Sequence, residues 1–106
     1  MIKWIVNFFG IKKEKINFKQ LVNDGAIIID VRSTQEFQGG HLKQSKNIPL
    51  NELNIKYKSL KKNKTIITCC ASGMRSGSAV NFLKSQGFKK VYNGGGWMHL
   101  NGKVNE

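Results

Sequence analysis

The sequence predicts an α/β fold, a parallel sheet with helices on both faces, in a single domain. Three observations carry that expectation. The runs AIIID (Ala26 to Asp30) and TIITC (Thr65 to Cys69) are compact and largely β-branched. They do not alternate apolar with polar, which is the pattern of strands buried on both faces of a parallel sheet. Helical segments separate the strands, as parallel crossovers require. The length, 106 residues, suits one layered core.

Taken in order, residues 1–14 read as an apolar and basic tail ahead of a domain over 15–106. On a helix, Lys3, Asn7, Gly10 and Glu14 would share one narrow stripe, with Ile2, Trp4, Ile5, Val6, Phe8, Phe9 and Ile11 around the rest. The run is too short to span a bilayer and lacks a small-x-small cleavage site. It is expected to pack on the domain, the alternatives being a partner surface or a peripheral membrane contact. Asn17 can cap a short helix through Phe18, Leu21 and Val22, ended by Asn23, Asp24 and Gly25. The strand Ala26 to Asp30 follows. Ser33 can cap a helix holding Glu36 and Phe37, stopped at Gly39 and Gly40. Asn47 to Leu50 reads as extended because Pro49 disfavours helix at Ile48. Asn51 is then the expected cap of a helix through Leu53 and Tyr57 toward Leu60. After the second strand, Ser78 to Gln86 reads as a helix presenting Ala79, Phe82 and Leu83, with Gly87 at its end. Lys90 to Asn93 is a last short strand before a turn at Gly94, Gly95 and Gly96; Trp97 is expected in the core.

Charge bounds the partners. Eighteen lysines and arginines against six acidic residues give a net charge of +12. The lysines are scattered, and no aromatic residues interleave with them as a base-stacking platform needs, so no specific nucleic-acid binding is expected. Such a field would still draw anionic substrates toward a cleft. The two cysteines, Cys69 and Cys70, are adjacent and cannot form a secreted disulfide framework. With no CxxC spacing, and with His41 and His99 distant, no metal site is expected either. The thiols read as free, in a reducing, cytoplasmic setting.

The candidate site is TCCASGMRSGSA, Thr68 to Ala79. Strand side chains alternate between faces, so only one of Cys69 and Cys70 can face the loop interior. Cys69 shares a buried face with Ile67, where a thiol behaves as a small hydrophobe. Cys70 is the candidate nucleophile. Ala71, Ser72, Gly73, Met74, Arg75 and Ser76 then form a short loop into a helix, whose amides can turn inward as an anion-binding nest. That field favours thiolate over thiol, and Arg75 adds a planar cationic fork.

The series Cys70-Ala71-Ser72-Gly73-Met74-Arg75-Ser76 resembles the active-site loop of rhodanese-family sulfurtransferases. Ile29-Asp30-Val31-Arg32, Glu36-Phe37, Gly40-His41-Leu42, Asn47-Ile48-Pro49 and Gly95-Gly96-Trp97 agree with the family in order and spacing. The resemblance covers about Ile16 to Leu100 and implies the rhodanese-like three-layer fold. It implies a persulfide on Cys70, loaded by a small anionic sulfur donor such as thiosulfate and emptied by cyanide, a thiol or an acceptor protein. Arg75 would bind the donor's sulfonate end, with amides from Ala71 to Ser76 around the sulfur. Asp30, Arg32, Glu36 and His41 match family positions and read as a scaffold under the loop. No cofactor is implied, and a monomer is expected. The chain departs from the family at Gln44 and Ser45, where glycine and alanine are usual, and at Ala71, often arginine in thiosulfate users.

Two rivals stand beside this. Counted from Cys69, the spacing to Arg75 matches the cysteine, five residues, arginine signature of phosphatases and arsenate reductases. A phosphoryl group needs that longer loop, since three oxygens must be met. The other rival is a non-catalytic interaction module on the same fold.

Overall fold

The computed structural model describes residues 15–106; the expected packing of the tail lies outside the described residues. Four parallel strands, β1 (Ile27–Asp30), β2 (Ser45–Asn47), β3 (Ile66–Cys70) and β4 (Val91–Gly96), form one sheet in the order β2-β1-β3-β4. The helices are α1 (Phe18–Asn23), α2 (Thr34–Gln38), α3 (Leu50–Lys56), α4 (Met74–Ser85) and α5 (Trp97–Val104). A 3-10 turn, Tyr57–Ser59, follows α3.

Alternation along the central strands divides the core in two. Ile29, Val31, Ile66 and Cys70 pack against Leu53 of α3 and Ala79, Val80 and Leu83 of α4. Ile28, Ile67 and Cys69 pack with Phe18 of α1 and with Leu100 and Val104 of α5. These are the three expected layers, each sheet face removing apolar surface from water. Among the described residues no helix is long and apolar enough to cross a membrane.

Local chemistry explains the ends. Asn17 caps α1 by accepting from the Gln20 amide. Ser33 caps α2 in a capping box: its hydroxyl accepts from the Glu36 amide while the Glu36 carboxylate accepts from the Ser33 amide. Other boundaries move. The segment expected to be extended from Asn47 contributes only its first residue to β2, which begins at Ser45. Pro49, not Asn51, precedes α3, because the Ile48 and Leu50 amides bond to the Asp30 and Val31 carbonyls and the chain turns straight after them. Helix α4 starts at Met74, ahead of the expected Ser78, with Gly73 at φ +106° as its entry residue. Strand β4 continues through the three glycines expected as a turn, with an irregularity in its pairing opposite Thr68 to Cys70.

The departures at Gln44 and Ser45 are absorbed by hydrogen bonds. The Gln44 and Asn105 side-chain amides pair reciprocally at 2.7 and 3.0 Å, tying the start of β2 to the end of α5. The Ser45 hydroxyl donates to the Leu42 carbonyl at 2.6 Å.

Candidate active site

Strand β3 delivers the two thiols to opposite sides. Cys69 is fully buried in the α1/α5 half of the core. Burial, followed by the charge of Asp30, pushes its pKa up to about 12. Cys70 lies at the carboxyl end of β3, at the base of the loop. Its sulfur accepts from the Gly73 amide at 3.0 Å and the Ser76 amide at 3.4 Å, and stands 3.4 Å from the Ser76 hydroxyl. Burial raises its pKa, but the Ser76 hydroxyl and the amides of Ser76, Gly73 and Ser72 together outweigh that and lower it. Two neighbouring thiols are thus driven in opposite directions, and the loop closes around the second of them.

The amides that bond the sulfur come from part of the loop. Of the amides from Ala71 to Ser76, those of Gly73 and Ser76 make hydrogen bonds to the sulfur. Met74 is 80% exposed, and Ala71 and Ser72 are exposed on the rim. Positive φ at Gly73 is what lets its amide turn inward while the next residue begins a helix.

Asn93 completes the loop, and sequence reasoning missed it. Its Oδ1 accepts from the Ser76 hydroxyl at 2.7 Å and the Gly95 amide at 2.9 Å, while its Nδ2 donates to the Gly73 carbonyl at 3.1 Å. The only signal available was an amide side chain at the carboxyl end of a strand, where sites on parallel sheets form.

The four scaffold residues divide. Asp30, fully buried, and Arg32, nearly so, form a pair with Nη2 to Oδ2 at 2.8 Å and Nε to both carboxylate oxygens. Arg32 also donates to the Gly40 carbonyl at 2.8 Å and lies 5.0 Å from the Trp97 ring centroid. Trp97, expected in the core, is half-buried beside Arg32 and packs against the α1/α5 half of the core. Glu36 reaches the loop itself: its carboxylate takes both terminal nitrogens of Arg75, at 2.7 and 3.0 Å. Arg75, first among the causes, holds the Glu36 carboxyl down to about 2. His41 does not join the site; it is exposed, stacks on Phe37 and hydrogen-bonds the Phe37 carbonyl through Nδ1 at 2.7 Å.

Known proteins share the sequence pattern and the fold. The family model described as Rhodanese-like domain matches residues 15–100. The chain is 35% identical over 92 residues to the putative sulfurtransferase YtwF of Bacillus subtilis, covering 87% of this chain and 85% of that protein. It is 37% identical over 81 residues to the putative sulfur carrier protein YrkF of the same organism, covering 76% of this chain and 42% of that one. The chain spans 64% and 42% of the length of YqhL and YrkF, two of the B. subtilis relatives it matches. A solved structure, a rhodanese with anions from E. coli, superposes with a TM-score of 0.67 at 32% identity, covering 71% of this chain and 91% of that one.

Proposed function

This chain belongs to the rhodanese-like domain family, and on that premise we propose that it is a sulfurtransferase carrying sulfane sulfur as a persulfide on Cys70. The observation that carries the reading is the convergence of the Gly73 and Ser76 amides on one sulfur. Donors aimed at a sulfur atom favour its anion, and the thiolate is the nucleophile.

In the first half-reaction the Cys70 thiolate attacks the outer sulfur of a donor such as thiosulfate. The donor's S–S bond breaks and its electron pair leaves on sulfite, while a new S–S bond forms on Cys70. The persulfide's negative charge falls on its outer sulfur, which enters the same loop and takes support from amides already in place. In the second half-reaction cyanide or a thiolate attacks that outer sulfur, and the electron pair of the Cys70 S–S bond returns to Cys70. No net oxidation occurs, and one difficult transfer becomes two easier ones. Cys70 is 1% exposed, so donor and acceptor must present a sulfur end-on at the loop mouth.

The Cys69 register has no such support. Its sulfur lies on the opposite sheet face, and its raised pKa keeps it a neutral thiol. The test is intact mass after incubation with thiosulfate. Wild type and Cys69→Ser are expected to gain one sulfur atom and release it to cyanide as thiocyanate; Cys70→Ser is expected to gain none. Sulfur gained by Cys70→Ser and lost from Cys69→Ser would reverse the assignment.

A further inference from the structure

Arg75 is the only cation between Cys70 and Ser76, and its fork is already occupied. Nη1 and Nη2 donate to the two carboxylate oxygens of Glu36, the geometry in which a guanidinium would otherwise grip two oxygens of an anionic substrate. Glu36 is itself fixed, since its Oε1 also accepts from the Ser33 amide at 3.0 Å and the Ser33 hydroxyl at 3.1 Å. A donor's sulfonate oxygens therefore meet a guanidinium whose end-on pair of N–H groups and charge are already shared with a carboxylate that helix α2 holds in position.

Arg75 also borders a cleft of about 400 Å³ whose other walls are Val31, Ser33, Pro49, Leu50 and Asn51. The volume is that of a small-molecule site. Its floor is apolar, made by Val31, Pro49 and Leu50, and its only charged wall is the guanidinium that Glu36 neutralises. The Val31 amide bonds to the Cys69 carbonyl at 2.9 Å, which sets the cleft at the carboxyl ends of β1 and β3, where the loop also begins.

We propose that Glu36 sets donor specificity: by holding Arg75 it disfavours doubly charged thiosulfate and leaves the site to a small organic sulfane-sulfur donor whose carbon body lies in the Val31, Pro49 and Leu50 cleft. This rests on the sulfurtransferase reading above. With an arenethiosulfonate the balance is the same as before: Cys70 thiolate attacks the terminal sulfur, the S–S bond breaks, and the electron pair departs on the arenesulfinate. No outside oxidant or reductant enters.

Steady-state transfer to cyanide by the full chain, with thiosulfate and with benzenethiosulfonate, tests this in wild type, Glu36→Gln and Asn51→Trp. Glutamine can still accept from the Ser33 amide, so the capping box survives and only the charge is removed. Glu36→Gln is expected to lower KM for thiosulfate about 1.5- to 5-fold, the range set by a partly exposed ion pair, with kcat little changed. Its effect on the singly charged benzenethiosulfonate should be smaller. Asn51 is exposed in the first turn of α3, so a tryptophan there can fill the cleft without disturbing the core. That variant is expected to raise KM for benzenethiosulfonate and leave thiosulfate unaffected. Each effect is a ratio between variants with one donor, so the donors' intrinsic reactivities cancel. A thiosulfate KM that rises or stays put in Glu36→Gln, or an Asn51→Trp effect equal for both donors, overturns the proposal while persulfide formation on Cys70 stands. Wild type that gains no sulfur from either donor removes both the proposal and the reading beneath it.

Discussion

Asp30→Ala is expected to destabilise the domain by about 3–5 kcal/mol, the cost of leaving a buried charge without its partner. Arg32 is 5% exposed, and its Nε and Nη2 both donate to the Asp30 carboxylate. That carboxylate also accepts from the Arg32 amide at 3.0 Å. The backbone around the pair is held as well, since Asn47 Nδ2 donates to the Asp30 and Arg32 carbonyls at 2.9 and 3.0 Å. A domain of this kind has only about 5–15 kcal/mol of stability in total, so the loss is a large fraction. Urea denaturation measures it. The double replacement Asp30→Leu with Arg32→Met should cost less than the two single replacements added together, because it removes both charges at once. A loss from Asp30→Ala of less than about 1 kcal/mol would mean that the pair behaves as a solvent-exposed one.

Gly96→Ala is expected to cut sulfur transfer about 10- to 100-fold, more than its effect on stability suggests. Gly96 pairs with Cys70 across β3 and β4. A Cβ there would sit 2.8 Å from the Ala71 carbonyl oxygen, inside the 3.4 Å at which ordinary contact begins. The obstructing atom is backbone in the loop, so relief comes by moving the loop. Shifting Ala71 displaces the amides of the residues just after it, and those amides must stay within hydrogen-bond distance of one sulfur. The check is kcat/KM with thiosulfate and cyanide alongside a thermal melt. Full activity would show that the loop tolerates displacement and that the amide ring contributes little.

The parts of the fold that were legible in the sequence are those fixed by local pattern. Ile27 to Asp30 and Ile66 to Cys70 are buried almost throughout, so their composition alone marks them as central strands. Asn17 and Ser33 cap helices because an oxygen on a short side chain reaches amides three residues ahead, a property of the local chain. That the two thiols lie on opposite sheet faces was legible too, since it follows from strand alternation. What escaped was set by tertiary contact. Strand β2 reads Ser45, Lys46, Asn47 and has no strand signature; its pairing with Ile28, Ile29 and Asp30 makes it one. Gly94, Gly95 and Gly96 look like a turn, yet they extend β4. At Gly94 a Cβ would lie 2.8 to 2.9 Å from Leu100, Ile67 and the Thr68 carbonyl, so glycine there serves close approach. Helix α5 was not expected at all, and it is what covers Ile67 and Cys69. In the site, Glu36 and Arg75 are 39 positions apart, and no sequence spacing shows that they meet.

The stabilised thiolate of Cys70 is tested most directly by its own titration, followed as thiolate absorbance and alkylation rate against pH in the Cys69→Ser protein. The folded sulfur is expected to titrate below its ordinary value of 9.0, and Ser76→Ala, which removes the nearest hydroxyl, should move that midpoint upward. A depressed pKa means that the unfolded chain binds more protons, so Cys70 adds stability that is fully present above pH 9.0 and is lost as pH falls through the folded midpoint. A Cys70 that titrates above 9.0, with Ser76→Ala leaving it unmoved, would contradict the anionic sulfur on which the proposed transfer depends.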